Sequence, residues 1–185
     1  MRLDTHKQLE AKMTKTIESL KYEYTTIRTG RANAQMLDKI RVDYYGTPTP
    51  ISQMAAISVP EARTLMISPW DKTSMAEIEK AIRNSDLGLN PSNDGQVIRI
   101  SVPALTEERR KELAKKVHKV AEEFKVRLRN ERRDANDELK KLEKDGELSA
   151  DDLKKAQDEV QKITDKFIKD IDAVAVAKEK DIMAV

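Results

Sequence analysis

No cysteine occurs in the 185 residues, which excludes disulfides, thiolate metal sites and thiol nucleophiles together. Aromatic residues are scarce, with one Trp, four Tyr and two Phe, so any core must be mainly aliphatic and the structure slender. His6 and His118 are the only imidazoles and fall in different helical segments. Both are expected to face solvent, which leaves no histidine metal site or general base. The five glycines never form a phosphate-cradling loop, because no pair five apart runs into Lys-Ser or Lys-Thr. Acidic pairs such as Glu122-Glu123 and Asp151-Asp152 sit on helical faces read as exposed, with no pocket to perturb them. No catalytic residue, cofactor or metal is therefore expected, and the chain reads as a non-enzyme. No stretch approaches the roughly 20 apolar residues that span a membrane. Met1-Arg2-Leu3-Asp4-Thr5-His6 runs straight into a charged helical pattern without a signal-peptide core, so a cytoplasmic protein is expected.

What the chain has is charge, at 37% of residues, with the two signs nearly cancelling at +2. That balance suits long helices with solvated faces. All six prolines fall between Pro48 and Pro103, and no glycine interrupts a segment with helical periodicity. The chain therefore divides into helix, a β-rich stretch, and two further helices. Leu9, Met13, Ile17, Leu20, Tyr24 and Ile27 form one apolar stripe, which predicts a helix from about Leu3 to Thr29 with Gly30 as its C-terminal cap. A second helix opens at the N-cap Thr106 and carries Leu113, Val117, Val120, Phe124, Leu128, Ala135, Leu139 and Leu142, ending before Gly146. A third opens at the cap Ser149, with Leu148 and Leu153 placed as a hydrophobic staple, and continues through Val160, Ile163, Phe167, Ile171 and Val174. None of these stripes can bury itself, so the three helices are expected to bury one another in an elongated bundle.

Residues 31–104 follow a different period. Ile40, Val42 and Tyr44 alternate with Arg41, Asp43 and Tyr45, and short β-prone runs follow at 57–59, 64–67 and 97–102, with one amphipathic helix from Met75 to Ile82. The fold class read from this is α+β. Residues 1–30 plus 105–185 form a discontinuous three-helix bundle, and 31–104 an inserted β-rich domain with one helix. The two short connections should act as a hinge. Trp70, between Pro69 and Asp71, is expected to pack in or at the edge of the insertion. The Tyr44-Tyr45 pair should place one ring inward and one outward.

The near-neutral total hides a segregation of charge. Residues 108–133 carry a net +6 and residues 134–185 a net −5. Within the basic zone Arg129, Arg132, Arg133 and Asn136 recur at spacings of three and four, with Lys125 and His118 in line, on one outward face of the second bundle helix. Guanidinium groups fork onto phosphate oxygens and stack on bases, so this face is a candidate RNA-binding surface. The competing reading is a merely solvated helix face, which charged runs on helices commonly are.

The same arginines belong to Val126-Arg127-Leu128-Arg129-Asn130-Glu131-Arg132-Arg133-Asp134-Ala135-Asn136, which resembles the signature of ribosome recycling factors. Ile27-Arg28-Thr29-Gly30-Arg31-Ala32 resembles that family's first hinge crossing. Tyr44-Tyr45-Gly46-Thr47-Pro48-Thr49-Pro50 and Asp86-Leu87-Gly88-Leu89-Asn90-Pro91 resemble its insertion-domain loops. Leu105-Thr106-Glu107-Glu108-Arg109-Arg110 resembles the start of its second bundle helix. The resemblance spans essentially the whole chain. It implies a three-helix bundle with an inserted β/α/β domain in an L-shaped outline reminiscent of transfer RNA. It also implies a factor that binds the large ribosomal subunit after termination and, with elongation factor G and GTP, splits the ribosome and frees the messenger RNA. By the same resemblance Arg129 and Arg132 are the main ribosomal-RNA contacts, with Arg28, Arg31 and Arg133 supporting. The hinge falls at Gly30-Arg31 and Pro103-Ala104-Leu105, the GTP belongs to the elongation factor, and a monomer is expected. One residue departs from the pattern: position 131, commonly aliphatic in this motif, is Glu131, expected at the bundle edge paired with a neighbouring Arg. A helical scaffold or chaperone that grips other proteins is the alternative, and would show no dependence on Arg132. An RNA-processing enzyme would need an acid–base constellation that the sequence does not offer.

Overall fold

A computed structural model of the chain describes residues 2–27 and 29–184. It separates into two compact units: Met1–Ile27 with Lys111–Ala184 form one, and Arg28–Arg110 the other. Each unit has its own core, and the fold is α+β. The helical unit is built from α1 (Asp4–Thr25), most of α3 (Glu107–Lys144) and α4 (Ala150–Met183). The second unit holds α2 (Met75–Arg83) and six strands: β1 (Arg41–Tyr44), β2 (Thr47–Pro50), β3 (Ala55–Glu61), β4 (Thr64–Pro69), β5 (Pro91–Asn93) and β6 (Ile98–Ser101).

The apolar stripes meet as the periodicity requires. Met13 and Leu20 of α1, Val117, Phe124, Leu128 and Leu139 of α3, and Val160 and Ile171 of α4 are all essentially sealed from solvent. Only the stripe ends differ, since Leu142 and Val174 are half-buried and Ala175 takes the inward place beside Val174. Smallness at 175 and at Ala121, Ala135 and Ala156, all buried, lets the helices approach between the bulky residues.

The helix ends have local causes. Thr106 caps α3, its hydroxyl accepting from the Arg109 N–H at 3.2 Å, and Ser149 caps α4 by accepting from the Asp152 N–H at 3.1 Å. At the other end of α3 the Gly146 N–H donates to the Glu143 carbonyl and the Glu147 N–H to that of Leu142, a Schellman closure that needs the left-handed φ of +81° at Gly146. The first helix ends at Thr25, short of the expected Thr29. The hydroxyls of Thr25 and Thr26 donate to the carbonyls of Tyr22 and Glu23 at 2.6 and 2.7 Å, drawing off acceptors that a continuing helix would use. Gly30 is therefore not the cap of α1, although it does adopt a left-handed φ of +78°.

His6 overturns the expectation of a solvent-facing imidazole. It is completely buried, with Nδ1 accepting from the Leu3 N–H and Nε2 facing the Ala156 carbonyl, both at 2.9 Å. Those partners require the neutral ring with its proton on Nε2, where it donates to Ala156. His6 thus closes the start of α1 and ties it to α4. His118 lies on the exposed side, as expected.

In the second unit β3-β4-β6-β5 form an antiparallel sheet, while β1 and β2 pair as a separate hairpin. Their common core is aliphatic, with Val42, Leu65, Ile67, Ile78, Ile82, Ile98 and Ile100 fully buried. Two strands fall where the sequence reads as loops, because β2 and β5 are rich in Pro, Thr, Ser and Asn. The structure resolves the conflict by keeping both at sheet edges, where proline's missing N–H costs nothing. Tyr44 is half-buried against the core, whereas Tyr45 leaves the strand for the turn, with φ at +50° and 82% of its surface exposed. Trp70 is 69% exposed, which contradicts a packed role; its backbone is engaged instead, donating to the Met54 carbonyl.

The buried Tyr24 hydroxyl donates to the Val117 carbonyl at 2.8 Å, joining α1 to α3. Burial, with the nearby Glu23 charge, pushes the phenol from 10.0 up to about 12. A raised acid pKa means that the stabilisation is whole below pH 10 and is lost as pH climbs through 12. Tyr24→Phe should therefore cost about 1 kcal/mol at pH 9, the usual worth of such a hydrogen bond. The gap to wild type should close as pH rises above 10 and reverse before pH 12, because the raised phenol pKa is worth more than the hydrogen bond. Urea unfolding of both chains across that range checks this, and a constant gap would contradict it.

Candidate nucleic-acid interface on the helical unit

The long α3 helix places its cations in chemically different settings. Arg129 and Arg133 are exposed and have no side-chain hydrogen bond or ion pair among the described residues. Lys125 is the opposite case. Its side chain is only 14% exposed, and its ammonium is held between Asp172 of α4 at 2.6 Å and Glu122 at 3.1 Å. The hydrogen bond to Asp172 raises its pKa, with burial opposing and Glu122 assisting. Arg132 lies between these extremes. Its Nη1 donates to Oε1 of Gln161 at 3.3 Å, and the Gln161 amide nitrogen donates to Asp165 at 2.8 Å. Arg127 of the same helix lays its guanidinium over the Phe124 ring at 4.3 Å and shields the core there.

A repeat of seven underlies these pairings. His118, Lys125 and Arg132 recur every seven residues on α3, and Glu179, Asp172 and Asp165 run the other way at the same interval on α4. Two helical turns bring a residue back to nearly the same face, so the two rows meet along one antiparallel seam. His118 Nε2 lies 2.6 Å from Glu179, and Lys125 2.6 Å from Asp172. The third rung is closed through Gln161. The α3 row is visible in the sequence but its α4 partners are not, because the register of separate helices cannot be seen in either helix alone. The shared interval of seven is the one signal that points to them.

Glu131 is half-buried and takes the Thr16 hydroxyl at 2.7 Å, not the arginine partner expected for it. Asn136 is half-buried, so the outward face narrows toward the end of the motif. In the second unit Arg31 is exposed, its backbone N–H on the Thr29 hydroxyl at 3.4 Å. Arg28, named with it as a candidate, lies outside the described residues. Gly30 is buried, and a Cβ built there would meet the Leu105 side chain at 3.5 Å, in ordinary van der Waals contact. Pro103 and Ala104 are exposed and Leu105 half-buried. Both connecting stretches are pinned on the β3–β4 turn, where the Ala32 N–H donates to Ala62 and the Val102 N–H to Arg63, each at 2.7 Å.

Among the described residues no three His, Asp or Glu side chains gather in a way that could hold a metal ion, and no helix is long and apolar enough to cross a membrane. The helical unit carries Arg127, Arg129, Arg132 and Arg133 on one 38-residue helix.

Known proteins resemble the chain over nearly its whole length. The family model described as ribosome recycling factor matches residues 20–183. The ribosome-recycling factor of Clostridioides difficile (strain 630) is 77% identical over 185 residues, covering all of both chains. That of Alkaliphilus metalliredigens (strain QYMF) is 60% identical, again over the full length of both. Among solved structures, a solution structure of the ribosome recycling factor aligns with a TM-score of 0.76 at 45% identity, covering 98% of this chain and 97% of that one. A second, of the T. thermophilus factor in models with E. coli elongation factor G bound to the E. coli post-termination complex, aligns at 0.65 and 47% identity, covering 97% of each. With the family model matching most of its length and relatives this similar throughout, the chain belongs to the ribosome recycling factor family.

Proposed function

We propose that the chain recycles ribosomes after termination by docking the outward face of α3 on ribosomal RNA of the large subunit. Elongation factor G then drives subunit splitting and messenger release against it. In this reading the chain is no enzyme: it holds a position and transmits force, and GTP is hydrolysed by the elongation factor. It works as a monomer in the cytoplasm, without cofactor or membrane. A relative placed with elongation factor G on a post-termination complex supports the partners. The observation that carries the RNA contact is the contrast along α3. Among the described residues Arg129 and Arg133 stand without partners, while Lys125 is tied to two carboxylates. Arg129 and Arg132 are the main contacts, with Arg133, Arg31 and Arg28 in support. Lys125 shares their face, but with its charge answered inside the molecule it serves chiefly to fix the helix pair.

The force path runs through the connections at Gly30-Arg31 and Pro103-Ala104-Leu105. Gly30 lets the chain turn with a left-handed φ while lying against Leu105. A side chain at 30 would stiffen that crossing.

Affinity for isolated large ribosomal subunits should fall steeply with salt, by about 0.7–0.9 log units per log unit of salt for each phosphate contact. In Arg132→Ala and Arg129→Ala the affinity should drop and the slope should flatten by about one contact each. Wild-type affinity and slope in both, with circular dichroism showing the fold intact, would rule out the assignment. Gly30→Ala should lose about 1–2 kcal/mol of stability through left-handed strain. It should bind subunits nearly as well as wild type yet split ribosomes slowly. Equal losses in binding and splitting, measured by titration and light scattering, would remove the hinge from the account.

A further inference from the structure

The seam between α3 and α4 is uneven in a way that bears on how Arg132 is presented. At two rungs the α3 side chain is answered directly by a carboxylate, Glu179 for His118 and Asp172 for Lys125, each at 2.6 Å. At the third the carboxylate in the same register is Asp165, yet it does not reach Arg132. Gln161 stands between them, its amide oxygen taking Arg132 at 3.3 Å and its amide nitrogen engaging Asp165 at 2.8 Å. Resting on the RNA-docking reading above, we propose that Gln161 is a positioning residue for Arg132. It fixes the guanidinium without neutralising it and keeps Asp165 one residue removed.

The chemistry follows from what each group can accept. An amide oxygen takes one N–H of the guanidinium and carries no net charge, so about four donors and the full positive charge remain for phosphate. A carboxylate in that place would form a charge-assisted pair, bidentate where geometry allows, and an arriving phosphate would have to displace it. Asp165 supplies the orientation: by accepting from the amide nitrogen it turns the amide oxygen toward Arg132. Exposed ion pairs add little to stability, so fold stability alone does not require a carboxylate at this rung. The arrangement also lowers the ordering cost of a long arginine before RNA arrives.

The test is Gln161→Glu, a change of nearly equal shape that places a carboxylate directly on Arg132, made alone and in an Arg132→Ala background. Binding to purified large ribosomal subunits is followed across a salt series, and thermal melts by circular dichroism confirm that each chain folds. Q161E should weaken binding by roughly tenfold at low salt and lower the salt slope by about 0.7–0.9, one contact's worth. In the Arg132→Ala background the same change should add less than about twofold, because its effect runs through the missing guanidinium. Wild-type affinity and slope in Q161E would overturn the proposal. So would an equal loss in both backgrounds, which would mark a general charge effect. An Arg132→Ala chain that binds like wild type would instead overturn the arginine assignment itself, and Gln161 with it.

Discussion

A helix of 38 residues with an apolar stripe along one side cannot stand alone in water. Everything in the helical unit follows from burying that stripe. The neighbours that cover it, α1 and α4, are amphipathic in the same way, and the shared seam of Leu, Ile, Val and two Phe leaves room for almost nothing polar. Among the polar residues buried there, His6 closes the start of α1, Tyr24 bonds across to α3, the Thr16 hydroxyl meets Glu131, and the Thr164 hydroxyl returns to the Val160 carbonyl of its own helix at 2.8 Å.

With the apolar side spoken for, the charged side is left to be divided, and the register of α3 against α4 divides it. At the groove between the helices His118 and Lys125 meet carboxylates and are answered within the molecule, while Arg132 meets only the uncharged amide of Gln161. Arg129 and Arg133, a little further round the helix, meet no partner among the described residues of their own chain. A single helical period thus sorts cations into structural and available sets. Neither composition nor net charge would separate them, since the chain is close to neutral overall. The inserted unit solves a separate problem. Its small aliphatic core is closed by edge strands rich in proline and by pinning both connecting stretches to the β3–β4 turn.

Much of this is legible in the sequence. The three bundle helices, their stripes and the caps at Thr106, Ser149 and Gly146 follow from spacing and from one or two residues each, because helical burial is a local property of periodicity. The strands at 41–44, 64–69 and 98–101 are legible for the same reason, while β2 and β5 are not, since their stability comes from partners and not from propensity. The end of α1 is masked, because Gly30 is the louder signal and the threonine hydroxyls at 25 and 26 the effective one. His6 reads as solvent-facing because an isolated histidine gives no sign of its two partners, one of them on another helix. Glu131 meets Thr16 of α1 and not an arginine, a pairing that depends on helix register. For the candidate site, the arginine face is evident in the sequence. The partition between Lys125 and Arg132 is not, because it is made by α4.

The central claim is that α3 meets RNA with the arginines its own fold leaves available, while Lys125 stays with Asp172. A structure of the chain bound to the large ribosomal subunit, at a resolution that shows side chains, tests this most directly. Arg129 and Arg132 should lie within hydrogen-bond reach of RNA phosphates, with the Lys125–Asp172 pair still closed. RNA lying against another face of the bundle, or Lys125 drawn off Asp172 onto a phosphate, would contradict it.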